Sequence, residues 1–478
     1  MNRLFTLLII PMTISVMAQG VADVYKDYDE FSASTLNHRR FKHADIVPLI
    51  AELDTHPDFE VKEEGESIQG RAIYSVKWGN GPTSVLLWSQ MHGDEATATM
   101  AMFDVFNFLK TKGKHEALKK HLSQKVTLYF IPMLNPDGAE VFQRRNALGV
   151  DLNRDALRLQ SPEARILKNK RDETQAVFGF NLHDQNRGHG AGRSGKPATI
   201  SFLAPAYNYE KDFNEVRERA VRLIALLNKT LQVHIPGQVG KYSDDFEPRA
   251  FGDNIQKWGT SLVLIESGGN IDDREKQEVR KMNFLALLTG FAAIADNSYT
   301  GENMQDYDDI PFNEQVFFDL LVENVTVNQD GQDYLIDLGI NQHEIDYDGH
   351  KKYFLQGQIE EVGDLSVYYG YDNFDGDGHM ATPGLVWPDT LTMEGLKKLD
   401  FEALHRKGYL HVMVKDLPLD YINIFPVNIL STAPPLLNFK IGDAASFVMR
   451  KDEKTAYVVL NGFLFSPGRH DKAYGAVH

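Results

Sequence analysis

Four apolar segments of strand length each run directly into a polar cluster, and this pattern constrains the chain more than any other feature. Residues 84–90 lead into Met91-His92-Gly93-Asp94-Glu95, and residues 125–133 lead into Asn135-Pro136-Asp137-Gly138. Residues 177–182 lead into His183-Asp184, and residues 261–265 into Glu266-Ser267-Gly268-Gly269. Segments with apolar residues at helical spacing lie between them, such as 97–110 (Met100, Phe103, Phe106) and 213–231 (Val216, Ala220, Leu223, Leu227). Such alternation predicts an α/β fold, a central sheet with helices on both faces. Ligands of open α/β sheets bind beyond the carboxyl ends of the strands. If these strands are parallel neighbours, the four clusters converge.

At 478 residues the chain is longer than one average domain, so two folded units are expected. The alternation ends near residue 296, and residues 297–309 are polar apart from Met304. We place the first domain at 19–300 and a smaller β-rich domain at 311–478, where short strands at 325–327, 334–338, 353–359, 410–414 and 456–460 are separated by turn residues. Residues 19–44 read as a loosely held polar arm, and 45–53 as a short helix capped by Asp45. Met1-Asn2-Arg3, an apolar run over 4–17 and Ala18 read as a signal peptide cleaved after residue 18. The expected product is exported, periplasmic or secreted, with no membrane anchor after signal removal. There is no cysteine, so disulfides and an N-terminal lipid-bearing Cys are excluded, and a zinc site would have to use His and carboxylates. The formal net charge of -17, from 67 acidic and 50 basic residues, argues against nucleic acid and anionic lipid as partners.

His92 and Glu95 are three residues apart at a strand-to-helix junction, which puts both side chains on one side of a helical turn. A local imidazole and carboxylate plus one distant imidazole make a His-Glu-His set that leaves a fourth zinc position for water. His183 is the best distant candidate. Taken alone, a His-x-x-Glu pair is weak evidence. In combination, His92-Gly-Asp-Glu95, Asn135-Pro-Asp-Gly138, Arg144-Arg145-Asn146, Val150-Asp151-Leu152-Asn153-Arg154, Leu182-His183 and Ile265-Glu266 follow one another in an order that closely resembles the zinc carboxypeptidase family, over roughly 65–300.

That resemblance implies a mixed, mostly parallel central sheet with helices on both faces, and one Zn2+ per chain on His92, Glu95 and His183. It further implies Arg145 as the arginine that polarises the scissile carbonyl, Asn153 and Arg154 as the grip on the substrate's terminal carboxylate, and Glu266 as general base. The implied substrate is a peptide with a free C-terminal carboxylate. The chemistry is coherent: zinc brings the pKa of bound water to roughly 7, a carboxylate moves its proton, and a fixed cation stabilises the oxyanion. An arginine fork binds a carboxylate in two places. Arg144 reads as a surface or salt-bridging residue, Asp151 as a support of its loop or of Arg154, and Asp184 as a second-layer or solvated acid.

The sequence also departs from the family's pattern. Its mobile tyrosine is matched only loosely by Tyr242, and Asp94 stands where a basic residue is common. The residue that sets side-chain preference is expected close to Phe251-Gly252-Asp253. Gly188-His189-Gly190-Ala191-Gly192 reads as a mobile rim near His183, and the acidic run Asp372–Asp377 as a tight turn whose likeness to a calcium loop lacks the closing Glu. Two other functions remain open: a murein-peptide amidase or N-acyl-amino-acid hydrolase on the same scaffold, and a non-catalytic peptide- or glycan-binding protein.

Overall fold

The computed structural model describes residues 16–418, 421–423, 425–434 and 436–469. The proposed leader therefore lies mostly outside the described residues. The chain divides into two compact units, 1–185 with 199–312, and 186–198 with 313–478.

The first unit contains strands β1 (Phe59–Glu66), β2 (Ala72–Trp78), β3 (Thr83–Trp88), β4 (Val126–Ile131) and β5 (Phe178–Asp184). A short strand, β6 (His189–Ala191), belongs to the second unit, after which β7 (Ile200–Leu203), β8 (Val239–Lys241) and β9 (Ser261–Ser267) complete the sheet. Its strand order is β1-β2-β4-β3-β5-β9-β7-β8. The centre, β4-β3-β5-β9, is parallel, and β1, β2 and β7 add antiparallel pairings. The sheet is thus mixed, with the parallel core that the polar clusters require.

Strand alternation explains the two cores. Val85, Leu87, Phe178, Phe180, Leu182, Val263 and Ile265 face one core. That core includes helices α1 (Val16–Lys26), α2 (His43–Asp54), α3 (Thr97–Lys110) and α4 (Glu116–Lys125). Leu86, Trp88 and Leu262 face the other. This second core is covered by α6 (Pro162–Thr174) and α8 (Phe251–Lys257), while α5 (Pro136–Glu140) closes the end of β4. Helices α7 (Glu215–Leu231) and α9 (Gln277–Asp296) complete the first core, and α10 (Gln305–Asp308) follows. Among the described residues no helix is long and apolar enough to cross a membrane.

The N-terminal segment differs from the expected loose arm. Val21, Val24, Phe31, Leu36 and Phe41 are buried in the first core. A buried ion pair holds the segment down: Arg280 of α9 pairs with Asp104 of α3, and it also donates to the carbonyls of Leu36 (2.6 Å) and Ala33 (3.1 Å). Asp104 in turn accepts from Tyr28 Oη (2.9 Å) and Ala33 N (2.7 Å). Asp45 is not the cap of α2. It sits one turn in, and its carboxylate reaches back to Lys42 N at 2.7 Å.

The second unit is a β-rich body. Strand β10 (Asn313–Gln315) pairs with β6, so the middle three of the five residues in the expected glycine-rich rim are strand. The main sheet comprises β11 (Phe317–Gln329), β12 (Gln332–Tyr347), β13 (Lys352–Gly363), β14 (Tyr369–Asp375) and β15 (Met380–Pro383), together with three later strands. A small sheet is built from β16 (Leu385–Val386), β17 (Tyr409–Met413) and β18 (Asn428–Leu430). Helices α11 (Met393–Leu396) and α12 (Phe401–Lys407) lie between β16 and β17. Strands β19 (Phe447–Lys451), β20 (Lys454–Leu460) and β21 (Phe463–Phe465) then extend the main sheet from β15. Asp372 to Asp375 lie within β14 rather than in a turn, and Asp375 accepts from Asp377 N at 3.1 Å as the strand ends.

Candidate metal centre and active site

Alternation that sends Leu182 and Ile265 into one core sends their successors to the other side of the sheet. His183 and Glu266 are register partners on the adjacent parallel strands β5 and β9. His92 and Glu95 arrive from the turn after β3, the other neighbour of β5. That turn needs Gly93, because a Cβ there would lie 2.0 Å from the Gly138 carbonyl carbon, so the loops after β3 and β4 touch backbone to backbone. Asn135 strengthens the contact. Its Oδ1 accepts from Gly138 N (2.9 Å), and its amide donates to Met91 O and Arg144 O (3.3 Å each).

The three residues meet closely. His92 Nδ1 lies 2.7 Å from Glu95 Oε1 and 3.2 Å from His183 Nδ1, which lies 2.6 Å from Glu95 Oε2. All three side chains are buried, and one ligand atom from each falls within 4.8 Å of the others. Among the described residues no other group of three or more His, Cys, Asp or Glu is gathered this way. Burial opposes charge on Glu95, yet the two imidazoles hold its carboxyl below the usual range. Burial likewise opposes charge on His92, but the Glu95 and Asp151 carboxylates push it up to about 9. For His183 burial wins, and its pKa falls. Two nitrogens with one carboxylate are a fitting donor set for a zinc ion.

The surroundings orient these donors. Asp151 Oδ1 is 3.2 Å from His92 Nε2, which leaves Nδ1 facing the cluster. Asp151 also accepts from Arg144 Nε (3.0 Å) and from Asn153 N (2.9 Å). It therefore joins ligand, arginine and loop, and does not hold the Arg154 side chain. Asp184 is neither solvated nor turned to the cluster: it accepts from Thr97 Oγ1 (2.6 Å) and pairs with Lys276 (3.1 Å).

The arginine at the cluster is Arg144, not Arg145. Arg144 Nη1 stands 3.1 Å from His92 Nδ1 and 3.3 Å from Glu95 Oε1. Arg145 turns away, exposed, and donates to Gly149 O at 3.0 Å. On this turn successive side chains diverge, so a one-residue shift exchanges the site-facing guanidinium for a solvent-facing one. Arg154 is exposed as well. It donates to Asn153 O (2.7 Å) and approaches Glu247 at 3.4 Å, while Asn153 Oδ1 accepts from Phe251 N (2.9 Å). Tyr242 follows β8 at the sheet edge, two strands from β9, and its backbone N donates to Phe202 O at 3.0 Å.

Glu266 is partly buried and accepts no side-chain hydrogen bond among the described residues. Burial, reinforced by the nearby Glu95 charge, raises its pKa well above the ordinary carboxyl value. Asp253 has one carboxylate oxygen occupied by Glu247 N (3.0 Å), and burial lifts its pKa to about 6. Asn181 was not singled out in the sequence. It precedes His183 by two on β5 and so shares its face, and neither its amide nitrogen nor its oxygen has a partner. Its nitrogen lies 3.6 Å from where a Gly252 Cβ would stand. The available signal was a polar residue in an otherwise apolar strand.

Comparison with known proteins agrees with the sequence resemblance. Residues 46–219 match the family model described as zinc carboxypeptidase. The chain is 28% identical over 120 residues to Carboxypeptidase SOL1 of Arabidopsis thaliana, covering 24% of each protein. It is 30% identical over 111 residues to the Carboxypeptidase N catalytic chain of Homo sapiens, covering 19% of this chain and 24% of that one. The chain thus spans about a quarter of the length of these curated relatives. Among solved structures, a metallo-carboxypeptidase from Burkholderia cenocepacia is 17% identical with a TM-score of 0.44, over 54% of this chain and 70% of that one.

Proposed function

We propose that this chain, which carries the zinc carboxypeptidase family signature over residues 46–219, is a zinc-dependent exopeptidase that removes C-terminal residues from peptides. The observation that carries the reading is the meeting of His92, Glu95 and His183 beside Glu266 at neighbouring strand ends, with Arg144 at 3.3 Å from Glu95.

His92, Glu95 and His183 would hold the ion, which when bound makes water acidic enough to yield a nucleophile near neutral pH. Glu266, with a raised pKa and no competing donor, takes up the proton released at nucleophilic attack and returns it to the leaving amine. Arg144 sits at the cluster with a fixed charge and stabilises the oxyanion that develops from the scissile carbonyl. Arg154 and Asn153 grip the substrate carboxylate, which requires Arg154 to leave its exposed pairing with Glu247. Such surface pairs are weak, about 0.2–1 kcal/mol, so a bound carboxylate can displace it.

The product is exported, with residues 1–18 as its leader. Helix α1 begins at Val16, so cleavage after residue 18 would trim its first turn and leave Val21 and Val24 in the core. N-terminal sequencing of exported protein tests this directly, and a retained Met1 would overturn it.

The test of activity is mass spectrometry of a peptide library incubated with metal-loaded protein, in parallel with Glu266→Gln. Stepwise loss of C-terminal residues by the first and not the second supports the reading. Cleavage confined to cell-wall peptides or N-acyl amino acids would move the assignment to an amidase on the same machinery. No hydrolysis of any of these would leave a binding protein.

A further inference from the structure

We infer that the second unit carries a binding site for the zwitterion of an apolar α-amino acid, floored by Arg450 and Thr382. The two residues stand on adjacent antiparallel strands, with Met380 opposite Arg450 and Thr382 opposite Val448. This register makes Thr382 and Arg450 diagonal neighbours on one face of the sheet. The alternate residues Ala381, Phe447 and Met449 point the other way, into the unit's core. Both Thr382 and Arg450 line a cleft of about 850 Å³.

Neither residue is satisfied. Arg450 Nε and Thr382 Oγ1 are both buried without a hydrogen-bond partner, and Arg450 makes no ion pair among the described residues. A guanidinium cannot lose its proton in a protein, so its charge persists whether or not anything meets it. Native structures seldom leave buried polar groups unpaired, and the rest of the Arg450 guanidinium, partly exposed at the cleft and likewise without a partner among the described residues, is open to an acceptor from outside. Gly408 shapes the same place. Its φ of +85° ends α12, and a Cβ there would lie 2.8 Å from Arg450 Nη2, so the guanidinium rests against bare backbone. A planar fork beside a hydroxyl is suited to a carboxylate.

The rim chooses among carboxylates. Asp333, Asp452 and Glu453 surround the opening and are exposed. Their charge repels a simple anion and attracts a cation, while Arg450 does the reverse. A ligand that carries both charges a few ångströms apart meets both. Met380, Pro383 and Leu385 supply an apolar wall for a side chain. This inference does not depend on the peptidase reading, although a free amino acid is the product that such an activity would release.

Calorimetric titration of the full chain with leucine, N-acetylleucine, leucinamide and inorganic phosphate tests it. Leucine is expected to bind wild type more tightly than the other three: N-acetylleucine lacks the ammonium, leucinamide lacks the carboxylate, and phosphate offers only negative charge. Arg450→Gln should weaken leucine at least about tenfold, as loss of a charged hydrogen-bonding partner does, with peptide turnover unchanged. Thr382→Val should weaken it less, and it serves as the test should Arg450→Gln not fold. In ¹⁵N-arginine-labelled wild type, leucine and not leucinamide should shift one buried Nε resonance. Equal leucine binding by wild type and either folded variant would overturn the site. Phosphate or N-acetylleucine binding as tightly as leucine would overturn the zwitterion.

Discussion

His92, Glu95 and His183 sit at strand ends and are almost wholly enclosed, whereas Arg145 and Arg154 ride on the loop over residues 143–154 with their guanidiniums toward solvent. The first group is fixed by the sheet: parallel register sets His183 beside Glu266, and a Gly93–Gly138 backbone contact sets the His92 turn. The second group is fixed by side-chain pairings such as Arg154 with Glu247, which exchange easily with solvent or ligand. Under the proposed function, a metal corner on the sheet and a carboxylate grip from Asn153 and Arg154 on the loop would separate two demands, unvarying geometry for the chemistry and accommodation for the peptide.

The contrast can be tested at both ends. Glu266→Gln should lower kcat by roughly 10²- to 10⁴-fold with one metal per chain retained, as measured by elemental analysis alongside turnover. A normal rate in the loaded variant would remove Glu266 from the chemistry. Arg144→Ala should cost about 10²- to 10³-fold in kcat, while Arg145→Ala stays within a few-fold. The reverse order would return the carbonyl-polarising role to Arg145. Asp151→Asn should weaken metal affinity by about 10- to 100-fold in a chelator competition, since Asp151 orients His92. Unaltered affinity would show that the β3 turn alone sets the imidazole. The smallest effect is expected on the clamp: Glu247→Gln should lower KM by no more than about fivefold, the scale of an exposed ion pair, with kcat unmoved.

The same contrast decides how much could be read from sequence. Strand ends are legible, because an apolar run that stops at a His or Glu fixes both the face and the height of that residue. His183 and Glu266 could therefore be expected at one crevice from the sequence, provided their strands are parallel neighbours, and the structure makes those two strands adjacent. Side-chain direction on a turn is not legible. Arg144 and Arg145 are adjacent and chemically identical, and only the path from Asn135 to Asp151 decides which one enters. Asn181 was passed over because a polar residue inside a strand reads as tolerated rather than purposeful. The segment 19–44 looked loose because its polar residues outnumber its apolar ones. Its anchor, Arg280 on Asp104, comes from more than 200 residues further along the chain and leaves no local trace. The pairing of β6 with β10 is likewise a long-range event, which glycine content alone could not suggest.

The Arg280–Asp104 pair also bears on how the protein is made. The N-terminal segment that it secures is synthesised first, and α9, which carries Arg280, comes late in that unit, followed only by α10 and the residues around it. Until α9 has been translated, Ala33 and Leu36 lack their guanidinium, Asp104 lacks its counter-charge, and the face that α9 covers is open. The contacts that Arg280 makes with Asp104, Ala33 and Leu36 can therefore form only after some 280 residues have been joined. Under the export proposed above, this late contact would keep the chain threadable through a narrow translocation channel while it is still being made.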